Sequence, residues 1–504
     1  MKKALIFKTH KGNHYLYSPA RNHFILCHPL IHHLYELEKV GVDSKGWMDS
    51  MDTESTITLA SHVTFRFPEI RRQWKKFRFL KRHHFFDTPG KINLNGQLLP
   101  SRVKENISTI RQVIFETTED CNLSCTYCTY SKFYINKERH KIKFDTGDAK
   151  KALTYLLEKR QPEHKELMIS FYGGEPLKNF RFIKDIVEFL EKDYGDRFSF
   201  QFNLTTNGLL LAKYGEFLFR HSFELSISLD GNAEANTFRV HKNNKPSFNR
   251  VISNTDHIKA TYPDYFDKKV SFISVLHARN SHAEVHDFFK QRYGKVPMVS
   301  SINTSNVNEN YKEEFRKTFL ERTKQIKREP DSMHHLFLNH PGLKDLSDTV
   351  EKYSGFIFKN YYRLMSENNQ PYDSREFLPS ATCLPFSIRV FIAADGTFIP
   401  CEHISRIFEI GQIQDHEIMI DPDVIAHDFN RYFNTIRPLC DGCFLADNCK
   451  ECVFNTRIET GQPHCDLFMD ESRFANYLAQ QFGQVEQDYS LYLRILNEAF
   501  HAKQ

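Results

Sequence analysis

The amino-acid sequence predicts an α/β fold built on a parallel sheet or barrel, with a small α+β module before it and a cysteine-rich segment after it. Short apolar runs typical of buried strands alternate with helix candidates between residues 110 and 300, and such alternation indicates βαβ units. Ten of the eleven cysteines lie in two groups, within 121–128 and 383–465. Because parallel α/β folds carry their sites at the carboxyl ends of strands, the first group is expected at such an end.

Each element is predicted from apolar periodicity and from the residues that break it. The predicted strands of the sheet are 113–117, 167–171, 199–204, 225–229 and 270–275, with helices over 148–159 and 182–192 and from His282 onwards. In the amino-terminal part, strands are predicted over 4–7, 14–17 and 24–26, and a helix over 29–37.

A chain of 504 residues is too long for one ordinary hydrophobic core, so several domains are expected. We divide it into a small α+β module (1–105), the barrel (106–305), a mainly helical region without a chemical motif (306–380), the cysteine-rich segment (381–468) and a helical tail (469–504).

The composition indicates a folded protein and argues against a membrane-spanning one. The hydrophobic fraction of 40% suits a folded chain, and no apolar run approaches the roughly 18 residues that a membrane span needs. The basic start of the chain lacks the apolar core of a secretory signal, so we expect a cytoplasmic protein without a membrane partner. The net charge of +5 is small for this length and does not indicate nucleic-acid binding.

The first cysteine group has the spacing of a metal loop. Cys121, Cys125 and Cys128 follow the first predicted strand of the sheet as C-x3-C-x2-C, and in a reducing compartment such grouping favours metal over disulfides. Three thiolates on one loop can hold three corners of a four-iron cluster and leave the fourth iron open. Zinc is the alternative, with His140 as the nearest further ligand. Cys27 stands alone and is expected to be a small buried side chain.

This loop, including the aromatic Tyr127 before its third cysteine, resembles the motif of the radical SAM superfamily. The resemblance implies a partial (β/α)6 TIM-like barrel and a [4Fe-4S] cluster whose open iron binds the amino and carboxylate groups of S-adenosylmethionine. It also implies reductive cleavage of the cofactor to a 5'-deoxyadenosyl radical, which takes a hydrogen atom from the substrate. Cys121, Cys125 and Cys128 are then the catalytic residues.

Polar residues at the later strand ends agree with this resemblance. Gly173 and Gly174 allow close backbone approach to a ligand, and Glu175 can accept a hydrogen bond from an ammonium group. By the resemblance, residues after the next two strands contact the ribose and carboxylate of the cofactor, and Arg239 pairs with that carboxylate unless it is a solvated surface residue. The expected cofactor-binding residues are Tyr127, Gly173, Gly174, Glu175, Thr205, Asn207, Ser226, Ser228, Asp230 and Arg239.

The second cysteine group is dense enough to indicate metal, either iron–sulfur clusters or two zinc ribbons. Its spacing resembles the SPASM domain, which implies two auxiliary [4Fe-4S] clusters and three clusters in all. The resemblance implies an inner cluster on Cys383, Cys401 and Cys452 and a closed outer cluster on Cys440, Cys443, Cys449 and Cys465. The inner cluster lacks a fourth cysteine, so its last iron is either open or bound by Asp395, Glu402 or His403.

The amino-terminal module is similar in size and layout to the winged-helix-like modules with which radical SAM peptide maturases capture a leader peptide. Such modules add an extended leader as a strand to a sheet edge. The segment from Arg66 to Arg82 is rich in basic residues interleaved with Trp74, Phe77 and Phe79. It is expected either to hold an acidic leader or to be a solvated helix face.

These features predict a radical SAM oxidoreductase that modifies, for example by crosslinking, a ribosomally synthesised precursor peptide. Its expected partners are that peptide with its leader and a reducing protein such as flavodoxin or ferredoxin. The lack of an eighth auxiliary cysteine disfavours a second hypothesis, a formylglycine-generating enzyme similar to anaerobic sulfatase maturases. A third hypothesis is a non-enzymatic electron carrier or leader-binding protein, against which the intact cysteine loop and the Gly-Gly-Glu turn argue.

Overall fold

The parallel sheet expected from the sequence is present and belongs to one of two units of the chain. The structure is a computed structural model that describes residues 4–20, 23–59, 63–87, 97–135, 141–304, 307–320, 346, 349, 382–404, 408–446, 449, 451–493 and 495. The flanking unit comprises Met1–Gly96, Leu336–Ala381 and Phe433–Gln504, and the barrel unit comprises Gln97–His335 and Thr382–Tyr432. The cysteine-rich segment is therefore divided between the units, and most of the expected helical region over 306–380 lies outside the described residues.

The amino-terminal part of the flanking unit contains a three-stranded antiparallel sheet followed by helices and a hairpin. Its elements are β1 (Leu5–Lys8), β2 (His14–Ser18), β3 (His23–Cys27), α1 (Pro29–Lys39), α2 (Ser44–Asp49), β4 (Thr56–Thr58), β5 (Thr64–Arg66) and α3 (Phe67–Arg82). Leu34 of α1 shares a buried core with Phe77 and Leu80 of α3. The expected strands and helix are present, while the identity of this part as a winged-helix-like leader-binding module stays a prediction.

The barrel unit is organised around a ten-stranded sheet. Its strands are β6 (Gln112–Thr118), β7 (Glu166–Gly173), β8 (Ser199–Thr206), β9 (Glu224–Ser228), β10 (Val270–Leu276), β11 (Met298–Ser301), β12 (Arg389–Ile392), β13 (Thr397–Ile399), β14 (Gly411–Gln414) and β15 (Glu417–Met419). Strands β6 to β11 lie side by side and parallel, and β12 joins the other side of β6, also parallel. This arrangement confirms the α/β fold with a largely parallel sheet.

Helices flank and connect these strands, and three of them, α5, α6 and α10, lie where the periodicity predicted. They are α4 (Pro100–Thr109), α5 (Thr146–Glu158), α6 (Phe180–Tyr194), α7 (Leu211–Arg220), α8 (Phe248–Thr261), α9 (Pro263–Lys269), α10 (His282–Tyr293) and α11 (Lys312–Phe319). Side-chain caps fix two of the starts, because Asp145 accepts the Asp148 N–H and Ser281 accepts the Glu284 N–H.

The last elements of the described chain are α12 (Pro422–Gly442), which contains the division point between the units, β16 (Arg457–Glu459), β17 (Gln462–His464) and α13 (Glu471–Gln487). Within the flanking unit, Phe474 and Leu478 of α13 share a core with Leu5 and Phe7 of β1. None of the described helices combines the length and the apolar character that a membrane crossing requires.

The face of the parallel sheet that is turned to the helices is dry and aromatic. Phe182 of α6 lies at its centre, with its ring centroid 5.7 Å from that of Phe115 and 6.4 Å from that of Phe171. Phe171 stacks in turn on Phe223 at 5.9 Å, and all four rings are almost completely buried. Burial of this much apolar surface fixes the sheet against its helices.

The opposite face of the sheet, which we call the inner face, is polar and partly accessible. Strand pairing sets Thr205 opposite Ser226 and Ser226 opposite Ser271, so that side-chain alternation points all three the same way. The Ser226 and Ser271 hydroxyls lie 3.1 Å apart. By the same register, the inner face carries the apolar residues Ile114, Met168, Ile273 and Phe391 among a larger set of polar ones. The polar residues are Gln112, Glu116, Ser170, Tyr172, Asn203, Thr205, Ser226, Ser228, Ser271 and Arg389. This face can receive a polar ligand while the helices seal the other one.

Candidate active site

The first three cysteines lie on a loop that leaves the carboxyl end of β6, where the sequence analysis placed them. Backbone hydrogen bonds fasten this loop to the segment that follows β9. The Ser124 N–H donates to the Val240 carbonyl at 2.7 Å, and the Thr126 N–H donates to the Phe238 carbonyl at 2.9 Å. The loop is therefore fixed by contacts that leave its sulfur atoms available.

The thiols of this loop lie near one another and near N–H groups. All eleven cysteines are free, the Leu123 N–H lies 3.4 Å from Cys121 Sγ, and the Asn207 amide nitrogen lies 3.6 Å from the same sulfur. Burial raises the pKa of Cys125 to about 12, and the Cys128 and Cys121 thiols add to the rise, so the three sulfurs are near neighbours. Three clustered thiols with N–H groups directed at sulfur fit a [4Fe-4S] cluster held by three cysteines.

Gly173 and Gly174 pack directly against the backbone of the cysteine loop. The Gly174 N–H donates to the Thr118 carbonyl at 2.8 Å, and the Glu175 N–H donates to the Asp120 carbonyl at 2.9 Å. A Cβ on Gly173, whose φ is 130°, would collide with the Thr118 carbonyl, and one on Gly174 with the Asp120 carbonyl. The glycines thus permit the close approach of two protein segments, whereas the sequence analysis assigned that approach to a ligand.

Glu175 is completely buried and joins this turn to the next strand end. Its carboxylate accepts hydrogen bonds from the Leu177 N–H at 3.1 Å, the Thr206 hydroxyl at 2.8 Å and the Asn207 N–H at 2.8 Å. Burial raises the pKa of Glu175 to about 7, against the effect of these donors. The Asn207 side chain then donates to Asn122 in the cysteine loop at 2.7 Å. The contact of Glu175 with the cofactor ammonium stays a prediction.

Asp230 and Arg239 form a buried ion pair beside the loop. Arg239 Nη2 donates to Asp230 Oδ1 at 3.0 Å, and its Nε lies 3.0 Å from Oδ2. Burial alone would raise the pKa of Asp230, but Arg239 and His277 bring it down to about 2. Arg239 is 8% exposed, so the alternative of a solvated surface arginine is wrong. The pairing of Arg239 with the cofactor carboxylate stays a prediction, and that pairing would compete with the ion pair between Arg239 and Asp230.

Thr205, Ser226 and Ser228 have their side chains on the inner face and are partly accessible. Thr206, the neighbour of Thr205, points to the buried side and bonds to Glu175 instead. The structure therefore brings these three hydroxyls to one surface, where they can serve a polar ligand.

Tyr172 is a residue of the inner face that the sequence analysis did not single out. It directly precedes Gly173, is 39% exposed, and its hydroxyl has no hydrogen-bond partner in the part of the chain that the structure describes. Surrounding protein raises the pKa of Tyr172 to about 12, and Glu402, Cys128 and Glu116 contribute. The phenol therefore lies within electrostatic range of both the first loop and the segment after β13. The sequence did contain a signal for Tyr172: it lies two residues after Ser170, so alternation puts the two side chains on the same face of the strand.

Cys401 follows β13 and lies beside two further metal-binding side chains. One ligand atom each from Cys401, Glu402 and His403 lies within 4.8 Å of the other two. The Glu402 carboxylate is held by Arg389, whose Nη1 lies 2.9 Å from Oε1, and is 3.4 Å from Cys401 Sγ. His403 is exposed. Two of the three candidate non-cysteine ligands of the inner cluster are thus next to Cys401.

The third candidate, Asp395, has a local structural task, because it accepts the Thr397 N–H at 3.2 Å in the turn between β12 and β13. Cys383 belongs to the barrel unit and Cys452 to the flanking unit. The inner ligand set of Cys383, Cys401 and Cys452 and its fourth ligand stay predictions.

The four cysteines expected to hold the outer cluster are all in the flanking unit. Burial raises the pKa of Cys440 to about 12, and the Cys449, Cys443 and Cys465 thiols raise it further. The Met469 N–H is directed at Cys443 Sγ at 3.4 Å. The other three thiols therefore lie within electrostatic range of Cys440, and the binding of an outer cluster by these four cysteines stays a prediction.

The exposed face of α3 is basic, but its aromatic residues are not all at the surface. Phe77 is 1% exposed, and the Trp74 indole N–H donates to the Ser44 carbonyl at 3.0 Å. Phe79 remains 56% exposed. The interleaving of basic and aromatic residues is thus mostly the core periodicity of an amphipathic helix. Phe77 is too buried to contact a leader, and binding of a leader by this segment stays a prediction.

The fold and the site combine a parallel α/β sheet with a three-cysteine loop at its carboxyl end. Residues 115–291 match the family model described as the Radical SAM superfamily. This match supports S-adenosylmethionine and a [4Fe-4S] cluster as cofactors, which the three thiols of the loop fit.

The chain is also similar to individual proteins. It shares 33% identity over 142 residues with an uncharacterised protein of Methanocaldococcus jannaschii, covering 28% of this chain and 46% of that protein. It shares 23% identity over 328 residues with a cysteine-type anaerobic sulfatase-maturating enzyme of Clostridium novyi, covering 61% and 78%. A radical SAM cyclopropyl synthase of Paramaledivibacter caminithermalis is 31% identical over 135 residues, 25% of this chain and 28% of that protein.

Among solved structures, native anSMEcpe with bound AdoMet aligns with a TM-score of 0.49 and 17% identity, covering 77% of this chain and 99% of that one. The matches to the Methanocaldococcus protein and to the cyclopropyl synthase span less than half of those proteins.

Replacement of Gly174 by alanine is expected to displace the cysteine loop, because the added Cβ meets the Asp120 carbonyl. Overpacking of this kind costs about 1–3 kcal/mol of folding free energy. We expect a lower melting temperature and less iron bound by the first loop, measured by thermal unfolding and iron analysis. Gly46→Ala is the control, because its Cβ has room in α2. Equal behaviour of the two variants would contradict the packing role of Gly174.

Proposed function

We propose that the protein oxidatively modifies a ribosomally synthesised precursor peptide that is held against the inner face. The observation that supports this most directly is the position of Tyr172, within electrostatic range of Cys128 on the first loop and of Glu402 beside Cys401. A peptide extended along the inner face past Tyr172 would reach the site of radical formation at one end and the proposed metal site beside Cys401 at the other. Oxidation that forms a new bond would use the radical first and the metal site, as electron acceptor, second.

The residues of the chain have distinct tasks in this reaction. When bound, the cofactor and the clusters supply a radical that removes one hydrogen atom and a site that accepts one electron. The glycine turn holds the cysteine loop, and the inner face aligns the polar substrate. Glu402, oriented by Arg389 at 2.9 Å, accepts the proton that the substrate releases with its second electron. The substrate thus loses a hydrogen atom, an electron and a proton in all.

We place the leader of the peptide on the flanking unit. β3 pairs only with β2 in the described part of the chain, and its Leu26 is 67% exposed. The exposed basic residues of α3 that have no acidic partner among the described residues are Arg71, Lys75, Lys76, Arg78 and Arg82. A strand edge with an exposed apolar side chain and a basic helix support binding of an extended, acidic leader.

A second candidate function is the generation of formylglycine in a sulfatase. The observation that favours it is the similarity to the sulfatase-maturating enzymes of Clostridium novyi and Clostridium perfringens, which covers 78% and 94% of those proteins. The seven auxiliary cysteines fit the peptide maturase better, because the resemblance to sulfatase maturases implies eight.

Anaerobic co-expression separates the two functions. The enzyme is produced with each small peptide encoded beside its gene and, separately, with a cysteine-containing sulfatase peptide. We expect mass spectrometry to show the loss of hydrogen atoms from a neighbouring peptide and no conversion of the sulfatase cysteine. Conversion of that cysteine to formylglycine, with every neighbouring peptide unchanged, would contradict the proposal.

Substitutions in the two cysteine groups are expected to differ in their effects on iron content and on the cleavage of S-adenosylmethionine. Three four-iron clusters give about twelve iron atoms per reconstituted chain. Cys125→Ala should abolish formation of 5'-deoxyadenosine from S-adenosylmethionine under reducing conditions. Cys443→Ala should keep cleavage and lose about four iron atoms, which is one cluster. Cys27→Ala, in the amino-terminal core, should change neither. Unchanged iron in the Cys443 variant would reject the outer cluster.

Replacement of Glu402 by glutamine removes the proposed proton acceptor and keeps the shape of the side chain. General-base groups contribute about 100-fold or more to rate, so peptide modification should fall by about that factor while 5'-deoxyadenosine is still formed. Iron content is measured in parallel, because loss of iron would assign Glu402 to metal binding instead. Glu409→Gln, which neutralises an exposed carboxylate of the same segment, is the control. An equal loss of activity in both variants would argue against a specific role of Glu402.

A further inference from the structure

A buried pair of charges contacts the cysteine loop through Tyr127. The Tyr127 hydroxyl, between Cys125 and Cys128 in the sequence, donates a hydrogen bond to the Asp230 carboxylate. The Arg239 guanidinium lies over the ring of the same tyrosine, 5.5 Å from its centroid. Asp230 is completely buried and Arg239 nearly so, and charges in such surroundings interact over longer distances than they do in water.

The two charges are at different ends of the tyrosine. Asp230 contacts the hydroxyl, the part of the side chain farthest from the loop backbone. Arg239 lies over the ring and directly follows Phe238, whose carbonyl accepts the Thr126 N–H of the loop at 2.9 Å. Arg239 is therefore the nearer of the two charges to the loop that carries the cysteines.

The remaining partners of Asp230 hold its carboxylate in this position. The Val275 N–H donates to Oδ1 at 3.1 Å, and His277 Nε2 lies 3.6 Å from Oδ2. Arg239 Nη2 donates a hydrogen bond to Oδ1 of the same carboxylate, and the Arg239 Nε lies 3.0 Å from Oδ2. The pair is thus fixed from the end of β10 as well as from the segment after β9.

We propose that Asp230 and Arg239 set the reduction potential of the cluster on Cys121, Cys125 and Cys128, and that Arg239 is the charge that favours its reduced state. A positive charge close to a cluster stabilises the added electron, and a negative charge opposes it. Both are positioning residues, since neither contacts the reacting atoms. Arg239 acts on the cluster through space and through Tyr127, and its task is not to bind the carboxylate of S-adenosylmethionine.

The test is a redox titration followed by electron paramagnetic resonance, using the signal that changes when S-adenosylmethionine is added and so belongs to the first cluster. Arg239→Gln should move the midpoint potential to more negative values, and Asp230→Asn should move it to more positive values. The double variant Asp230→Asn/Arg239→Gln leaves no unpaired buried charge. It should fold and give a negative shift smaller than that of Arg239→Gln, and Arg239→Lys should restore the potential.

A merely structural role would move the two single variants in the same direction or leave the potential unchanged, and either result overturns the proposal. A double variant with full iron content and an unshifted potential overturns it even where the single variants fail to fold. Equilibrium binding of S-adenosylmethionine, measured by isothermal titration, provides the second readout. A tenfold or greater loss of affinity in Arg239→Gln with an unshifted potential would assign Arg239 to the cofactor carboxylate instead.

Discussion

The close backbone contact between the glycine turn after β7 and the cysteine loop after β6 is the constraint on which the site depends. Two hydrogen bonds, from Gly174 and Glu175, join the turn to the loop at 2.8 and 2.9 Å, and no side chain fits between them. Glu175 extends the connection to β8, and Ser124 and Thr126 extend it to the segment after β9. Three successive strand ends thus hold one loop without using its sulfurs, so a cluster can bind to thiols that are already in place.

The same strands separate a dry side from a polar side. Alternation sends Phe115 and Phe171 to the helices and sends Glu116, Ser170 and Tyr172 to the inner face. The aromatic side fixes the sheet, so part of the polar side, such as Tyr172, can stay accessible, although Glu116 and Ser170 are buried. The proposed function would gain from this division, because a rigid sheet would hold substrate and radical source in one geometry while polar side chains of the inner face contact the proposed peptide.

The sequence predicted the features that depend on local pattern, and it failed where the answer depends on a distant partner. Strand periodicity placed β6 to β10, and cysteine spacing placed the metal loop, because both are properties of short segments. For Arg239 the sequence left two alternatives open, a cofactor-binding residue or a solvated surface residue, because its burial depends on Asp230 and on the packing of β10. Trp74 and Phe77 looked like surface aromatics among basic residues until the core with α1 showed which side of α3 is covered. Tyr172 was missed because one exposed tyrosine at a strand end is common, and its meaning comes from the two cysteine segments that it faces.

The direction of the strands places the two cysteine segments of the barrel unit at opposite ends of the inner face. β6 carries the chain to its carboxyl end and the first loop, and β12 runs parallel to it. β13 then turns back, so Cys401 follows it at the level of Arg389, which pairs with Gln112 at the start of β6. From Gln112 to Thr118 there are six steps of about 3.3 Å, or roughly 20 Å. No single substrate carbon touches both ends of such a distance. An extended polar chain along the inner face does reach both ends, and this geometry favours a peptide over a compact small molecule.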